Sequence, residues 1–168
     1  MNKEYQRFWN EDRKKKADSI GLSPIEVSIL ASIVQAEAVK DDEAPAIAGL
    51  YLNRLKRDIA LQADPTLVFA VGDFTLKRVL NEHKEVNSPY NTYKHAGLTP
   101  GPINMPRIVM IDAVLNAQSH NYIYMCAKED FSGYHNFSTN LNQHLIYARN
   151  YQRALTIEQR KGRALRNQ

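Results

Sequence analysis

ILASIVQAEAV, residues Ile29–Val39, reads as a helix whose apolar stripe runs through Leu30, Ile33 and Val34. Three residues after Val34, four after Ile33 and seven after Leu30, the same stripe reaches Glu37, while Ser28, Ser32 and Gln35 take the opposite, wetter side. A carboxylate on an apolar face loses hydration, which disfavours its charged form and raises its pKa from about 4.3. Such an acid, still protonated near neutral pH, can give a proton to a leaving oxygen, as breaking a glycosidic bond requires. The same spacing also fits a carboxylate at the stripe's end that simply meets water beside Lys40, Asp41, Asp42 and Glu43. The helix alone does not choose between the two.

Upstream, Ser23 is an N-cap candidate, Pro24 suits the first turn and Glu26 completes a capping box, so the helix is expected over Pro24 to about Lys40. A second helix follows over about Ala44–Arg57, with Ile47, Leu50, Tyr51, Leu52 and Leu55 as its apolar positions. IALQADPTLVFAV, residues 59–71, reads as two short strands around an Asp64-Pro65 turn. A short helix near Thr75–Asn81 leads into a long Pro-, Gly- and Tyr-rich loop, residues 85–105, and then a helix over about Pro106–Ala117. NYIYMCAK and YHNFS read as a strand pair around EDFSG, and a helix over about Asn140–Arg160 closes the pattern on His144, Tyr147, Ala148, Tyr151 and Leu155. The expected class is α+β: a helix-rich single domain with a small antiparallel sheet. Residues 1–18, with Tyr5, Phe8 and Trp9 on a modest apolar edge, form a charged N-terminal helix or the remnant of an upstream segment; residues 19–160 form the functional domain and 161–168 a basic tail.

Composition narrows the function classes. With 168 residues, 43% hydrophobic and 24% charged, the chain suits one domain with a real core. Neither an apolar run of about 18 residues nor a signal peptide is present, so the chain is expected to be soluble. A net charge of +4 is too mild to call for nucleic acid, and its clusters at Arg13–Lys16 and Arg160–Arg166 read as solvated faces. The single cysteine, Cys126, excludes an internal disulfide. His83, His95, His120, His135 and His144 form no His-x-x-x-His pair, so neither a metal nor a cofactor is expected.

The loop YNTYKHAGLTPGPI, residues 90–103, sets two tyrosines and an asparagine before a Pro100-Gly101-Pro102 stiffener. Flat apolar faces with hydroxyls and amides suit a ligand of rings and hydroxyls, although such a loop also serves as a structural crossover. Taken together, LASIVQAEA, LYLNRLKRDIALQADPT, YNTYKHAGLTPGPI and GYHNFSTNLNQH, in that order over about residues 19–155, resemble the endolytic murein transglycosylases, the MltG or YceG-like family. That family's helical pattern, L-A-S-I-V-E-x-E, puts its second acid on Glu37 and its first on Gln35, a departure; Thr99 and Met105 depart at the loop's rim.

The resemblance implies cleavage of the β-1,4 bond between N-acetylmuramic acid and N-acetylglucosamine inside peptidoglycan strands, leaving 1,6-anhydro ends. Glu37 is the implied acid and base, and Asn53, Gln62, Asp64, Thr66, Tyr90, Asn91, Tyr93 and His135 are the implied substrate contacts. Each has a plainer role open to it: Asn53 could brace helices, Asp64 could serve a turn, Gln62 could face solvent and His135 could be a packed hydrogen-bonder. The resemblance further implies peptidoglycan synthases (penicillin-binding proteins) as companions, action on the outer face of the cytoplasmic membrane, and a membrane anchor and LysM-like segment upstream. Two rivals stay open. One is a muramidase with Asp64 as second carboxylate and Asp41, Asp42 or Glu43 in reserve; the other is a non-catalytic glycan-binding scaffold. A pyridoxal-phosphate lyase fits poorly, since Lys40, Lys56, Lys77, Lys94 and Lys128 all sit in polar or loop settings without a phosphate cradle.

Overall fold

A computed structural model describes residues 2–167. Its elements in order are α1 (Asn2–Phe8), α2 (Glu11–Ile20), α3 (Pro24–Glu37), α4 (Ala44–Lys56), α5 (Asp64–Val71), α6 (Ile108–Leu115), β1 (Tyr124–Ala127), β2 (His135–Ser138) and α7 (Leu141–Arg166). Single 3₁₀ turns lie at Asp41–Glu43 and His83–Glu85. The result is the expected helix-rich α+β class with a two-stranded antiparallel sheet. The chain divides into two compact units, 1–120 and 121–168.

In the first unit, α3 starts where the capping box requires. Ser23 Oγ accepts from the Glu26 amide at 3.2 Å, and Glu26 Oε1 accepts from the Ser23 amide at 3.0 Å. The helix ends at Glu37, short of Lys40, because Ala38 leaves helical geometry at φ −78°, ψ 113°. α3 packs against α6, α4 and α5. Leu30, Ile33 and Val34 of α3, Ile47 and Leu50 of α4, Leu67 of α5 and Met110 and Val114 of α6 are all fully buried. Ser32, expected on the wet side, is fully buried as well; its hydroxyl donates to Ile29 O at 2.7 Å and accepts from the Ile103 amide at 3.0 Å.

Residues 59–71 are not two strands. Ile59–Ala63 is irregular and Asp64–Val71 is helix α5. Pro65 needs no amide partner in a first turn, Asp64 suits the positive helix end, and Gly72 at φ 78° closes the helix with its amide on Val68 O. The helix expected near Thr75–Asn81 is absent as well. Asp73 Oδ1 there takes both the amide and the hydroxyl of Thr75, at 3.0 and 2.6 Å, a local turn that competes with helix. Residues 2–20 are two helices rather than one, broken at Trp9–Asn10, where Asn10 Oδ1 caps α2 through the Arg13 amide at 3.0 Å. Trp9 is buried, and Arg13, read as a solvated charge, forks onto Asp112 of α6 at 3.1 and 3.2 Å.

Gly49 marks the closest approach in this unit. A Cβ there would lie 2.3 Å from Gln118 O and 2.8 Å from His120 Nε2. Those atoms cannot yield easily, because the Gln118 amide donates to Pro45 O at 2.9 Å and His120 Nε2 bonds Ala46 O at 2.8 Å. Gly49→Ala is therefore expected to destabilise by about 1–3 kcal/mol through overpacking, despite the better helix propensity of alanine. Thermal unfolding followed by circular dichroism checks this; a variant as stable as wild type would contradict the packing.

In the second unit β1 and β2 pair with Tyr124 opposite Ser138 and Ala127 opposite His135. Their turn is shaped by Asp130 Oδ1, which accepts from the Ser132 amide at 3.0 Å, and by Gly133 at φ 89°. Helix α7 packs on both strands, stacking His144 on Tyr124 at 5.1 Å between ring centroids. It begins at the Asn140 cap and runs on through Arg166, so the basic residues 161–166 continue the helix. No single helix among the described residues is long and apolar enough to cross a membrane.

Candidate active site

Glu37 is the last helical residue of α3, half-buried at the edge of that helix's apolar face. Protein surrounds its carboxyl closely enough that burial, first of all, pushes its pKa from 4.5 up to about 7. The negative charge of Asp64 pushes the same way, and the C-terminal end of α3 is itself unfavourable to an anion. A hydrogen bond from Tyr51 of α4, whose hydroxyl donates to Glu37 Oε1 at 3.1 Å, works against them.

Asp64 lies exposed in the first turn of α5 and accepts a short hydrogen bond from the Tyr93 hydroxyl. Burial, together with the Asp64 bond, holds that hydroxyl well above its ordinary pKa, so it remains a donor. Lys84 Nζ sits over the Tyr93 ring, 5.0 Å from its centroid. Tyr90 packs its ring on Phe69 of α5 at 4.7 Å, and its hydroxyl is 3.0 Å from where a Cβ on Gly101 would be. Gln62 is exposed and held at φ 51°, a left-handed backbone that costs a non-glycine residue strain. It stays there because the Gln62 amide donates to Thr92 O at 3.1 Å and the Ala63 amide to Thr92 Oγ1 at 3.0 Å.

The structure thus gathers Glu37 and Asp64 within reach of each other's charge, with Tyr93 on Asp64 and Gln62 two residues upstream. At two of the expected contact positions the side chains are taken up by the protein itself. Thr66 and Asn91 are fully buried. Thr66 Oγ1 bonds Ala63 O at 2.7 Å and Thr92 Oγ1 at 2.8 Å. Asn91 Nδ2 donates to Lys84 O at 2.9 Å and Val86 O at 2.8 Å, and its Oδ1 accepts from the Tyr93 amide at 3.0 Å. Both side chains are engaged by the protein and brace the loop that carries Tyr90 and Tyr93. Asn53 braces α4, its Nδ2 donating to His120 O at 2.7 Å. His135 belongs to the second unit, with its ring 6.3 Å from that of Phe137.

Two residues emerge only here. Tyr51 reads in sequence as one more apolar position, although a buried tyrosine hydroxyl generally finds a partner. Gln35 ties the end of the loop to α3: its Nε2 donates to Asn104 Oδ1 at 3.1 Å and Met105 O at 3.0 Å, and its Oε1 accepts from the Arg107 amide at 2.7 Å. A glutamate at that position could not donate to Met105 O, which accounts for the amide. Arg107 is forked onto Asp41 at 2.7 and 2.9 Å, so Asp41 is engaged away from Glu37's partners. Among the described residues no group of three or more His, Cys, Asp and Glu could hold a metal ion.

A carboxylic acid poised near neutral pH beside a second carboxylate and a tyrosine-bearing loop is a constellation for acid–base chemistry. The chain belongs to the YceG-like family, whose family model matches residues 1–150. It is 41% identical over 101 residues to the endolytic murein transglycosylase of Bacillus subtilis (strain 168), a match covering 60% of this chain and 28% of that protein. Another endolytic murein transglycosylase, from Streptococcus pneumoniae serotype 2 (strain D39 / NCTC 7466), is 33% identical over 113 residues, 65% of this chain and 20% of the relative. The chain therefore spans well under a third of these relatives' length. A solved YceG-like protein of Listeria monocytogenes superposes with a TM-score of 0.71 at 33% identity, covering 78% of this chain and 42% of that one.

Proposed function

We propose that this chain is the catalytic region of an endolytic lytic transglycosylase acting on peptidoglycan. The observation that carries the reading is Glu37, an acid bonded by Tyr51 and close enough to Asp64 to feel its charge, with its pKa pushed up to about 7. The names of the relatives supply the substrate class. Murein lies outside the cytoplasmic membrane, so the reading puts the site on that face, and the synthases that build the strands are its natural companions.

In this mechanism the Glu37 carboxyl gives its proton to the oxygen bridging N-acetylmuramic acid and N-acetylglucosamine. The bond from that oxygen to the muramyl anomeric carbon breaks, and positive charge develops on the sugar. In this reading the charge of Asp64 stabilises that cation. The sugar's own 6-hydroxyl then attacks the anomeric carbon and passes its proton to the Glu37 carboxylate, closing a 1,6-anhydro ring. Glu37 ends the cycle protonated and no water is consumed. A hydrolase would instead direct water with a second carboxylate, and Asp64 would take that role in the alternative.

Digesting defined glycan strands in ¹⁸O-water and weighing the products decides between them. Anhydro-muramyl ends without ¹⁸O are expected. Reducing ends that carry ¹⁸O would establish the muramidase, and intact strands would leave only a glycan-binding module.

A further inference from the structure

We propose that Tyr51 is a positioning residue for Glu37: its hydroxyl takes Oε1 and leaves Oε2 as the oxygen that exchanges a proton with substrate. The inference rests on the lytic reading above and adds a residue that reading does not use.

The geometry carries it. Among the described residues the Tyr51 hydroxyl, at 3.1 Å, is the hydrogen-bond donor that meets the Glu37 carboxyl. Tyr51 is only 2% exposed within α4, so its hydroxyl has little freedom to turn away. Glu37 sits where the backbone leaves α3, and without this anchor its side chain would be free to change rotamer. A carboxyl protonated on Oε2 presents Oε1 as a carbonyl oxygen, which accepts from a phenol; once the proton has left, the same bond becomes charge-assisted and stronger. Burial and the neighbouring Glu37 hold the Tyr51 hydroxyl well above its ordinary pKa, so it stays a donor throughout the cycle.

Other charged groups act on this pair. Asp64 of α5 raises the acid's pKa, Tyr93 of the loop is bound to Asp64, and the Arg54 charge of α4 reaches Tyr51 and Tyr93. Against the upward push from burial and Asp64, the Tyr51 bond is the opposing influence that keeps Glu37 near neutrality. Position 51 thus tunes the acid strength of position 37 from the neighbouring helix, which distinguishes it from a core aromatic that only fills space.

Tyr51→Phe keeps the buried ring and removes only the hydroxyl. The Glu37 titration is followed by NMR on protein carrying ¹³C-carboxyl glutamate, with Glu37→Gln assigning the signal, and the pH profile of strand cleavage is measured alongside. Wild type is expected to titrate near 7, with kcat/KM falling tenfold per pH unit above that point. In Tyr51→Phe both the titration and the high-pH limb move up by about one to two units, the worth of one hydrogen bond to a charged group. At pH 6 kcat falls about tenfold while KM holds, because the reacting oxygen is no longer presented in one orientation. An unchanged Glu37 titration in the variant would overturn the proposal, as would a limb that stays put. A wild type that shows the Tyr51-dependent titration yet cuts no strand refutes the lytic reading while supporting the coupling of the two side chains.

Discussion

Glu37→Gln is expected to reduce strand cleavage about 10²–10⁴-fold, the worth of a positioned acid–base, while gaining stability at alkaline pH. The kinetic half follows from chemistry. A glutamine amide keeps an Oε1 that can accept from Tyr51, so the side chain remains docked, but it has no proton to give the bridging oxygen and no basic site for the 6-hydroxyl. Binding of glycan fragments should survive, which separates loss of chemistry from loss of the site.

The stability half follows from linkage. Glu37 has an ordinary value of 4.5 and a folded value of about 7, so between these pH values the native state holds a proton that the unfolded chain has released. The stability contributed by this protonated acid is complete below about pH 4.5 and is lost as pH rises through 7. At pH 8 the wild type therefore carries a buried anion that the glutamine variant lacks. Two and a half units correspond to roughly 3 kcal/mol at most, and partial solvent contact reduces this to about 1–3 kcal/mol. For a chain of this size that is an increase in Tm of roughly 2–12 °C at pH 8, shrinking toward pH 5. Calorimetry at the two pH values tests it: a variant no more stable than wild type at pH 8 would mean that Glu37 is not held against its charge.

What could be read in advance depends on how local each interaction is. Helix α3 was legible because its signals lie within four residues of one another: the Ser23–Glu26 capping box, Pro24, and the stripe ending at Glu37. The β1–β2 pair was legible for the same reason, two short β-prone runs flanking one turn. Helix α5 was not, because Asp64-Pro65 suits either a turn or a helix start, and the choice is made by Gly72 as a C-cap and by burial of Leu67 in the α3 core. Within the site, the helix made Glu37 a candidate without deciding its surroundings, and its partner Tyr51 depends on how α3 and α4 cross. Thr66 and Asn91 were no more legible in their surroundings. Thr66 in α5 and Asn91 in the tyrosine-rich loop are polar positions whose burial depends on how the chain closes, with Thr92 joining residues 62–66 to the loop.

That closure makes Asn91→Ala the largest expected effect on stability. The Asn91 side chain supplies two donors to main-chain carbonyls, at Lys84 and Val86, and one acceptor to the Tyr93 amide, all within a fully buried residue. Alanine leaves those three groups unpaired in partly buried positions and opens a small void, at an expected cost of about 2–4 kcal/mol. Residues 84–93 then lose the lateral tie that shapes them. The consequence reaches the chemistry, because Tyr93 is held through its own amide and in turn holds Asp64. Thermal melts should show Tm lower by roughly 4–16 °C, and hydrogen exchange should rise selectively over residues 84–95. Cleavage should fall through kcat as Asp64 loses its fixed partner, with the Glu37 titration shifting far less than in Tyr51→Phe. A variant that melts with wild type and exchanges no faster in this segment would show that the loop is shaped by its prolines and glycines alone, and Asn91 would return to the list of residues free to meet a ligand.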